Sequence, residues 1–300
     1  MRITNSMMSS QQISVLQASM AALQKASDQA TSGKRINQAS DDPAAALSIM
    51  QSGSSMRALD QYRTNIQRAT SRVNVEDGVL QQINDLLARA KELGVSQASD
   101  TATAQTRAAA SAELGQIFKQ IVDLGNTKFG DEYLFGGNQA ATPPFGTTGN
   151  GVTLDFTSTN PVGQRTVGVA DGELIAPTHD GQQIFVDTGV LSAVRDVARA
   201  IDPSLVALPG QLTTALTSLD SAIGSIQGVV GDTGAVANRL TAADANVTAL
   251  KTNLITFKSN LEDVDIETAM TELTTRQLAY QAALLATSKV GSTSLVDYLR

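Results

Sequence analysis

The residue types that most often carry out chemistry are scarce in this chain. Its 300 residues include one histidine, His179, and no cysteine. A His-Glu-x-x-His zinc site needs two histidines on one helical face, and a thiolate metal site or cysteine nucleophile needs a cysteine. A Ser-His-Asp triad would have to use His179, but no Gly-x-Ser-x-Gly motif accompanies it. We interpret His179 as a surface-loop histidine and predict that the protein is not an enzyme.

Two acidic clusters are the remaining candidates for a cation site. Residues 262–267 read Glu-Asp-Val-Asp-Ile-Glu, but they lack the glycine and the ligand spacing of a calcium loop. Such a cluster is more typical of a solvated turn or a helix N-terminus, where carboxylates oppose the helix dipole. The pair Asp41-Asp42 stands before Pro43 and is typical of a helix cap. We therefore predict a junction and a cap, with no metal and no cofactor.

Composition and charge disfavour two classes of partner. The net charge is -7, and the longest basic stretch is Lys34-Arg35, so the chain lacks the clustered cations that neutralise nucleic-acid phosphates. No run approaches the roughly 18–20 apolar residues of a membrane span, so we predict no membrane insertion. Residues 1–8 contain no apolar core of a secretory signal peptide, which leaves other export routes open. Hydrophobic residues make up 42% of the chain, enough for a packed core.

Heptad spacing dominates the first half of the chain. Steps of three and four connect apolar residues from Leu59 to Ala90, interrupted only by Glu76. This pattern predicts a long helix with a coiled-coil seam. Asp42 and Pro43 mark its start, and Gly94 marks its expected end. A second helix is predicted after Asp100-Thr101 and before Gly125. Its apolar face comprises Ala110, Leu114, Ile117, Ile121 and Leu124.

The second half of the chain carries two similar apolar stripes. They comprise Leu212, Leu216, Leu219, Ile223, Ile226 and Val230, then Val236, Leu240, Ala243, Val247, Leu250, Leu254, Phe257, Leu261 and Val264. The step from Val264 to Ile266 breaks the heptad phase, which predicts a junction between two helical segments.

Between the halves, glycine and proline become frequent and short runs predict β-strands. Residues 152–156 and 167–169 alternate with period two, and residues 184–186 form a short apolar run. The predicted fold class is therefore mainly α, a long coiled-coil-like helical bundle formed by both chain ends with a small β-rich domain inserted in the middle. The predicted domains are terminal helical segments at 1–40 and 265–300, a bundle core at 41–130 and 191–264, and the β-rich inserted domain at 131–190.

The outermost segments carry thin apolar stripes that should be marginal as lone helices. We predict that these stripes form the subunit or assembly interface. Their residues are Ile13, Leu16, Met20, Leu23, Ile266, Met270, Leu273, Tyr280 and Leu284.

Several motifs together resemble the flagellin superfamily over about the first 145 and last 90 residues. They are Met1-Arg2-Ile3-Thr4, Ser32-Gly33-Lys34-Arg35-Ile36-Asn37, Ser40-Asp41-Asp42-Pro43-Ala44, the stretch Leu261 to Glu267, and Leu295-Val296-Asp297-Tyr298-Leu299. Within that superfamily, Asp131 to Gln139 followed by Thr142-Pro143-Pro144-Phe145 is similar to the subunits that join hook to filament. Pro43 also favours them, since filament subunits commonly carry alanine there. A short flagellin, the filament subunit, is the alternative.

The resemblance implies a structural protein of the bacterial flagellum that serves motility. It implies secretion by the flagellar type III apparatus with an export chaperone, and an extracellular location. The partners it implies are further copies of the chain in a homo-oligomer ring, the first hook-associated protein on the hook side and flagellin on the filament side. It also implies that the paired termini form an inner coiled-coil layer.

Overall fold

The computed structural model describes residues 5–99, 102–148, 155–205 and 210–298, with side chains for residue 7 and for residues 10–289 of those ranges. The chain forms two compact units. The first contains residues 1–58 and 249–300, and the second contains residues 59–248. The motif Met1 to Thr4 and the early part of the predicted strand, Val152 to Leu154, lie outside the described residues.

Six helices make up most of the described chain. They are α1 (Asn5–Ser32), α2 (Pro43–Gln97), α3 (Ala104–Gly125), α4 (Val190–Ile201), α5 (Gln211–Glu262) and α6 (Ile266–Tyr298). The mainly α fold class with a strand-containing middle region is confirmed. No helix within the described ranges combines the length and the apolar character that a membrane crossing requires.

The heptad seam predicted for α2 is buried in the second unit. Ile66, Val73, Leu80, Ile83 and Leu87 are all at most 2% exposed. At the start of α2, Asp42 Oδ1 accepts a hydrogen bond from the Ala45 amide at 3.0 Å, so the predicted cap is confirmed.

The end predicted for α2 at Gly94 is wrong, because the helix continues to Gln97. Gly94 serves close packing instead. A Cβ at this position would lie 2.7 Å from Leu216 Cδ2 and 3.0 Å from Val197 Cγ1. A glycine signal inside a helical pattern can therefore mark a close approach rather than a C-cap.

Except for Val264, which lies in the junction after Glu262, the two apolar stripes of the second half belong to one continuous helix, α5. Four glycines lie within it, Gly224, Gly228, Gly231 and Gly234, and a Cβ on any of them would meet no atom within 4 Å. These glycines interrupt neither the helix nor its hydrogen bonding. The predicted phase break is confirmed, because α5 ends at Glu262 and α6 begins at Ile266.

The described part of the middle region contains three two-stranded antiparallel sheets. They pair β1 (Lys128–Phe129) with β2 (Glu132–Tyr133), β3 (Phe145–Thr148) with β4 (Asp155–Ser158), and β5 (Val167–Ala170) with β6 (Glu173–Ile175). The strand predicted at 184–186 is wrong, since Gln182–Asp187 forms a π-helical turn. The consecutive residues Ile184 and Phe185 are both fully buried, which a half-exposed strand would not allow.

One hydrophobic cluster in the second unit joins helices and middle region. Phe145, Ile184 and Phe185 of the middle region belong to the cluster that contains Leu80 of α2 and Leu219 of α5. Helix α4, which was not predicted, contributes a fully buried apolar face to the same cluster. The division into a bundle core and an inserted domain at 131–190 stays a prediction. Because both parts contribute to one hydrophobic cluster, a test of their independent folding is needed.

Candidate assembly surface

Helices α1 and α6 pack against each other in the first unit. Small residues permit this approach: Ala26 of α1 and Ala269 of α6 are the buried apolar positions of the pair. Among the described side chains of both helices, the larger apolar residues are at most half-buried. Each helix therefore keeps much of its apolar surface open to solvent.

The structure divides the predicted interface residues into two sets. Leu16, Leu23, Leu273 and Tyr280 are half-buried within the first unit. The other five are between 41% and 57% exposed, and they are Ile13, Met20, Ile266, Met270 and Leu284. The role of all nine residues as a subunit interface stays a prediction.

Large exposed apolar side chains concentrate in the first unit. Among the described residues, the second unit contributes three of them: Val95, Val162 and Leu174. Those of the first unit are Met7, Ile13, Val15, Met20, Leu47, Met50, Leu250, Ile255, Phe257, Ile266, Met270, Leu278, Leu284 and Leu285. Surface patches of this kind mark contact sites for other proteins.

A short polar joint connects the ends of four helices in the first unit. Residues 33–42, between α1 and α2, lie beside the junction of α5 and α6. The Arg35 amide donates to the Glu262 carbonyl at 2.6 Å, and the Val264 amide donates to the Gly33 carbonyl at 3.0 Å. Gly33 has φ +68°, a left-handed conformation that favours glycine. The motif Gly33-Lys34-Arg35 therefore serves to connect the loop before α2 with the α5–α6 junction.

Charged side chains reinforce this joint. Lys34 Nζ lies 2.7 Å from Glu262 Oε1, and Lys258 Nζ lies 3.4 Å from the other oxygen of that carboxylate. Burial alone would raise the pKa of Glu262, but the hydrogen bond from Lys34 and the charges of both lysines outweigh it and lower that pKa. Arg35 donates to the Leu261 carbonyl at 2.9 Å. Charge complementarity therefore stabilises the joint, together with the burial of Ile36.

Asp41 organises the other side of the joint. Its carboxylate lies 2.9 Å from Lys25 Nζ and accepts hydrogen bonds from the amides of Asn37 and Gln38, both at 3.1 Å. The Lys25 hydrogen bond, followed by these backbone bonds, lowers the pKa of Asp41. The Asp41 side chain thus holds residues 37 and 38 in position before the start of α2.

The acidic residues 262–267 form a junction, as predicted. Asp265 Oδ1 accepts a hydrogen bond from the Glu267 amide at 3.0 Å at the start of α6. Asp263 accepts a short hydrogen bond from Ser259. Across the part of the chain that the structure describes, no group of three or more acidic or histidine side chains is placed to hold a metal ion.

His179 is not the surface-loop histidine that the sequence indicated. Its side chain is 12% exposed, and Nδ1 lies 2.7 Å from Oε1 of Glu76, which is fully buried. The sequence contained one indication of this contact, because Glu76 is the single interruption of the α2 seam. A buried carboxylate requires a partner, and His179 provides it from a distant part of the chain.

Comparisons with known proteins assign both helical ends to one family. Residues 3–140 match the bacterial flagellin N-terminal helical region, and residues 216–299 match the bacterial flagellin C-terminal helical region. Together these two ranges cover well over half of the chain.

Individual relatives agree with this assignment. The chain is 32% identical to the flagellar hook-associated protein 3 of Salmonella typhimurium over 146 residues, which are 48% of this chain and 46% of that protein. It is 33% identical to a flagellin of Halalkalibacterium halodurans over 104 residues, 35% of this chain and 38% of that one. The matched segments thus span about half the length of these relatives or less.

A solved structure supports the fold itself. The chain matches a putative flagellar hook-associated protein from Vibrio parahaemolyticus with a TM-score of 0.66 and 19% identity. The match covers 74% of this chain and all of the other. With its terminal helices, joint and paired family regions, the chain belongs to the bacterial flagellin family.

Proposed function

We propose that this protein is a structural subunit of the bacterial flagellum that joins hook to filament and assembles through its terminal helices. The observation that carries this proposal is the row of uncovered apolar side chains on α1 and α6, which a neighbouring subunit would bury. Burying one Leu, Ile or Met side chain contributes about 1.5–3 kcal/mol, so several together provide a substantial driving force for association. The name of the Salmonella relative supports the junction role.

The proposed partners follow from that role. Further copies of the chain would form a ring, with the first hook-associated protein on the hook side and flagellin on the filament side. We propose secretion through the flagellar type III apparatus with an export chaperone, and an extracellular location in the flagellum. The protein would act by contact alone, without a catalytic step.

A filament subunit is the second candidate, because a relative named flagellin matches at a similar identity. A deletion strain of the source bacterium separates the two. Loss of a junction subunit leaves hooks without filaments and flagellin in the culture medium. Loss of a filament subunit shortens or removes the filament without releasing flagellin into the medium. Hooks with normal filaments in the deletion strain would contradict both candidates.

Two matched variants test the assembly surface. Leu285 on α6 is 72% exposed and Leu174 in the second unit is 62% exposed, so aspartate at either position should leave the monomer folded. We expect Leu285→Asp to abolish complementation of the deletion strain, because it places a charge in a surface that association would bury. Leu174→Asp should restore motility. Full motility with Leu285→Asp would contradict a role for this face of α6.

A further inference from the structure

The second unit contains one acid–base contact that neither the family assignment nor the assembly surface explains. Both oxygens of the Glu76 carboxylate accept from the His179 amide, at 3.2 and 3.3 Å, and Oε1 lies 2.7 Å from the imidazole Nδ1. Glu76 is fully buried between Val73 and Leu80, which are themselves buried apolar positions of the α2 seam. The whole polar environment described for this carboxylate therefore comes from one residue.

His179 belongs to a segment that needs to be held in place. Residues 176–189 connect β6 to α4 and include the π-helical turn with Ile184 and Phe185. Phe185 packs edge-on against Phe135 with a ring-centre distance of 5.2 Å, and the Gly181 amide donates to the Phe135 carbonyl at 3.1 Å. These contacts attach the middle and the C-terminal part of the segment. The contact with Glu76 attaches its N-terminal part to α2.

We propose that Glu76 and His179 form a proton-dependent ion pair that holds residues 176–189 against α2. With the imidazole protonated, a cation faces the buried carboxylate. Loss of that proton leaves the carboxylate buried with hydrogen bonds but without a counter-charge, and desolvated anions are strongly disfavoured. The segment then opens more readily, because opening returns Glu76 to water. This inference concerns the folded monomer and does not depend on the proposed assembly.

All the charged groups that face the imidazole favour its protonation. Glu76 faces it from α2, Asp232 from α5 and Asp180 from the same loop. The hydrogen bond with Glu76 is the largest influence and raises the pKa of His179 above its ordinary 6.5, although burial opposes this change. The stabilisation is therefore complete below about pH 6.5 and is lost as the pH rises through the higher pKa of the folded state.

The chain's single histidine makes the first test direct. In a ¹H–¹³C NMR titration of the full chain, the imidazole Cδ2–H and Cε1–H signals belong to His179, because the chain contains one histidine. We expect a midpoint above 6.5 in the unmodified protein. A midpoint at or below 6.5 would overturn the proposal, and this result requires no variant.

Amide exchange tests whether protonation controls the segment. After correction for the intrinsic rate, opening of residues 176–189 should increase above the midpoint. The increase should approach about tenfold for every pH unit by which the midpoint exceeds 6.5. The His179→Gln variant keeps the backbone amide that donates to Glu76, but its side chain cannot be protonated. The corrected exchange of residues 176–189 in this variant should therefore not depend on pH. Glu76→Gln should lower the NMR midpoint. The proposed ion pair would be contradicted by pH-independent opening in the unmodified protein. The same pH dependence in His179→Gln would also contradict it.

Discussion

The side chain of Asn126 pairs with the backbone of Phe145 as a second strand would. Its Nδ2 donates to the Phe145 carbonyl at 2.8 Å, and its Oδ1 accepts from the Phe145 amide at 3.1 Å. Asn126 also caps the end of α3. One residue thus ends a helix and positions β3, whose Phe145 ring enters the shared core.

Asn126→Ala should therefore destabilise the second unit. The substitution leaves two partly buried backbone groups without partners, at a cost of about 1–3 kcal/mol for each. Urea unfolding followed by circular dichroism measures the loss. Asn246→Ala, at an exposed position of α5, is the control and should change stability by no more than about 0.5 kcal/mol. Equal effects of the two substitutions would contradict the pairing.

Gly94→Ala and Gly78→Ala should change stability in opposite directions, although both glycines lie within α2. At Gly94 the new methyl group would press against Val197, which is fully buried, and the expected cost is about 1–3 kcal/mol. At Gly78 a Cβ meets no atom within 4 Å, so alanine should stabilise the helix by about 0.5–1 kcal/mol. Thermal unfolding of both variants checks the sign, and a stabilising Gly94→Ala would show that the core adjusts freely.

Phe185→Ala tests whether the middle region shares one core with the helices. Truncating a fully buried phenylalanine costs about 3–5 kcal/mol. Because Phe185 belongs to the cluster that includes Leu80 of α2, we expect helical and near-ultraviolet signals to shift together in one transition. Phe257→Ala, at an exposed position of α5, should have little effect on the monomer. Separate transitions in Phe185→Ala would instead support an independent inserted domain at 131–190.

Acid should weaken the polar joint through Asp41. Because the pKa of this carboxyl is held below its ordinary 3.8, its contribution to stability is present above that pH and is lost as the pH falls through the lower folded value. The difference in melting temperature between the unmodified chain and Asp41→Asn should therefore disappear in strong acid. Asp171→Asn, in the exposed turn between β5 and β6, is the control for the same chemical change at the surface and should leave the melting temperature at neutral pH unchanged. A constant difference down to pH 2 would contradict the assignment.

Leu273→Asp tests the pairing of α1 with α6. Leu273 is half-buried in the first unit, so a carboxylate there should separate the two helices and abolish the joining of hook to filament. The core of the second unit contains no part of this surface, and its melting transition should be unchanged. Leu278→Asp is the control for the monomer, because Leu278 is already 62% exposed. Loss of helical signal equal in both variants would show that Leu273 has no special role.

The sequence predicted those features that depend on neighbouring residues. The α2 seam, the Asp42 cap and the break after Val264 each follow from spacing over a few turns of helix. Residues 191–201 were placed in the helical bundle core but not recognised as a separate helix, although Val190, Val194 and Val197 recur at helical spacing. A short apolar run such as 184–186 does not distinguish a strand from a buried helical turn.

Contacts between distant residues could not be predicted in this way. Glu76 and His179 are separated by 103 residues, and no local pattern connects them. The exposure of Met20 and Met270 depends on how α1 packs against α6, since a thin apolar stripe does not specify which of its residues face the partner. For the same reason, Gly94 could be recognised as a packing residue only once Val197 was placed beside it.

The four glycines of α5 give the middle of that helix a low intrinsic helix propensity. Each glycine costs about 0.5–1 kcal/mol relative to alanine in a helix interior, and no close approach to another residue requires any of them. The helix between Gly224 and Gly234 therefore depends on tertiary burial, because Ile226 and Val229 lie in the core of the second unit. As an isolated peptide, α5 should lose its helical structure first in this segment.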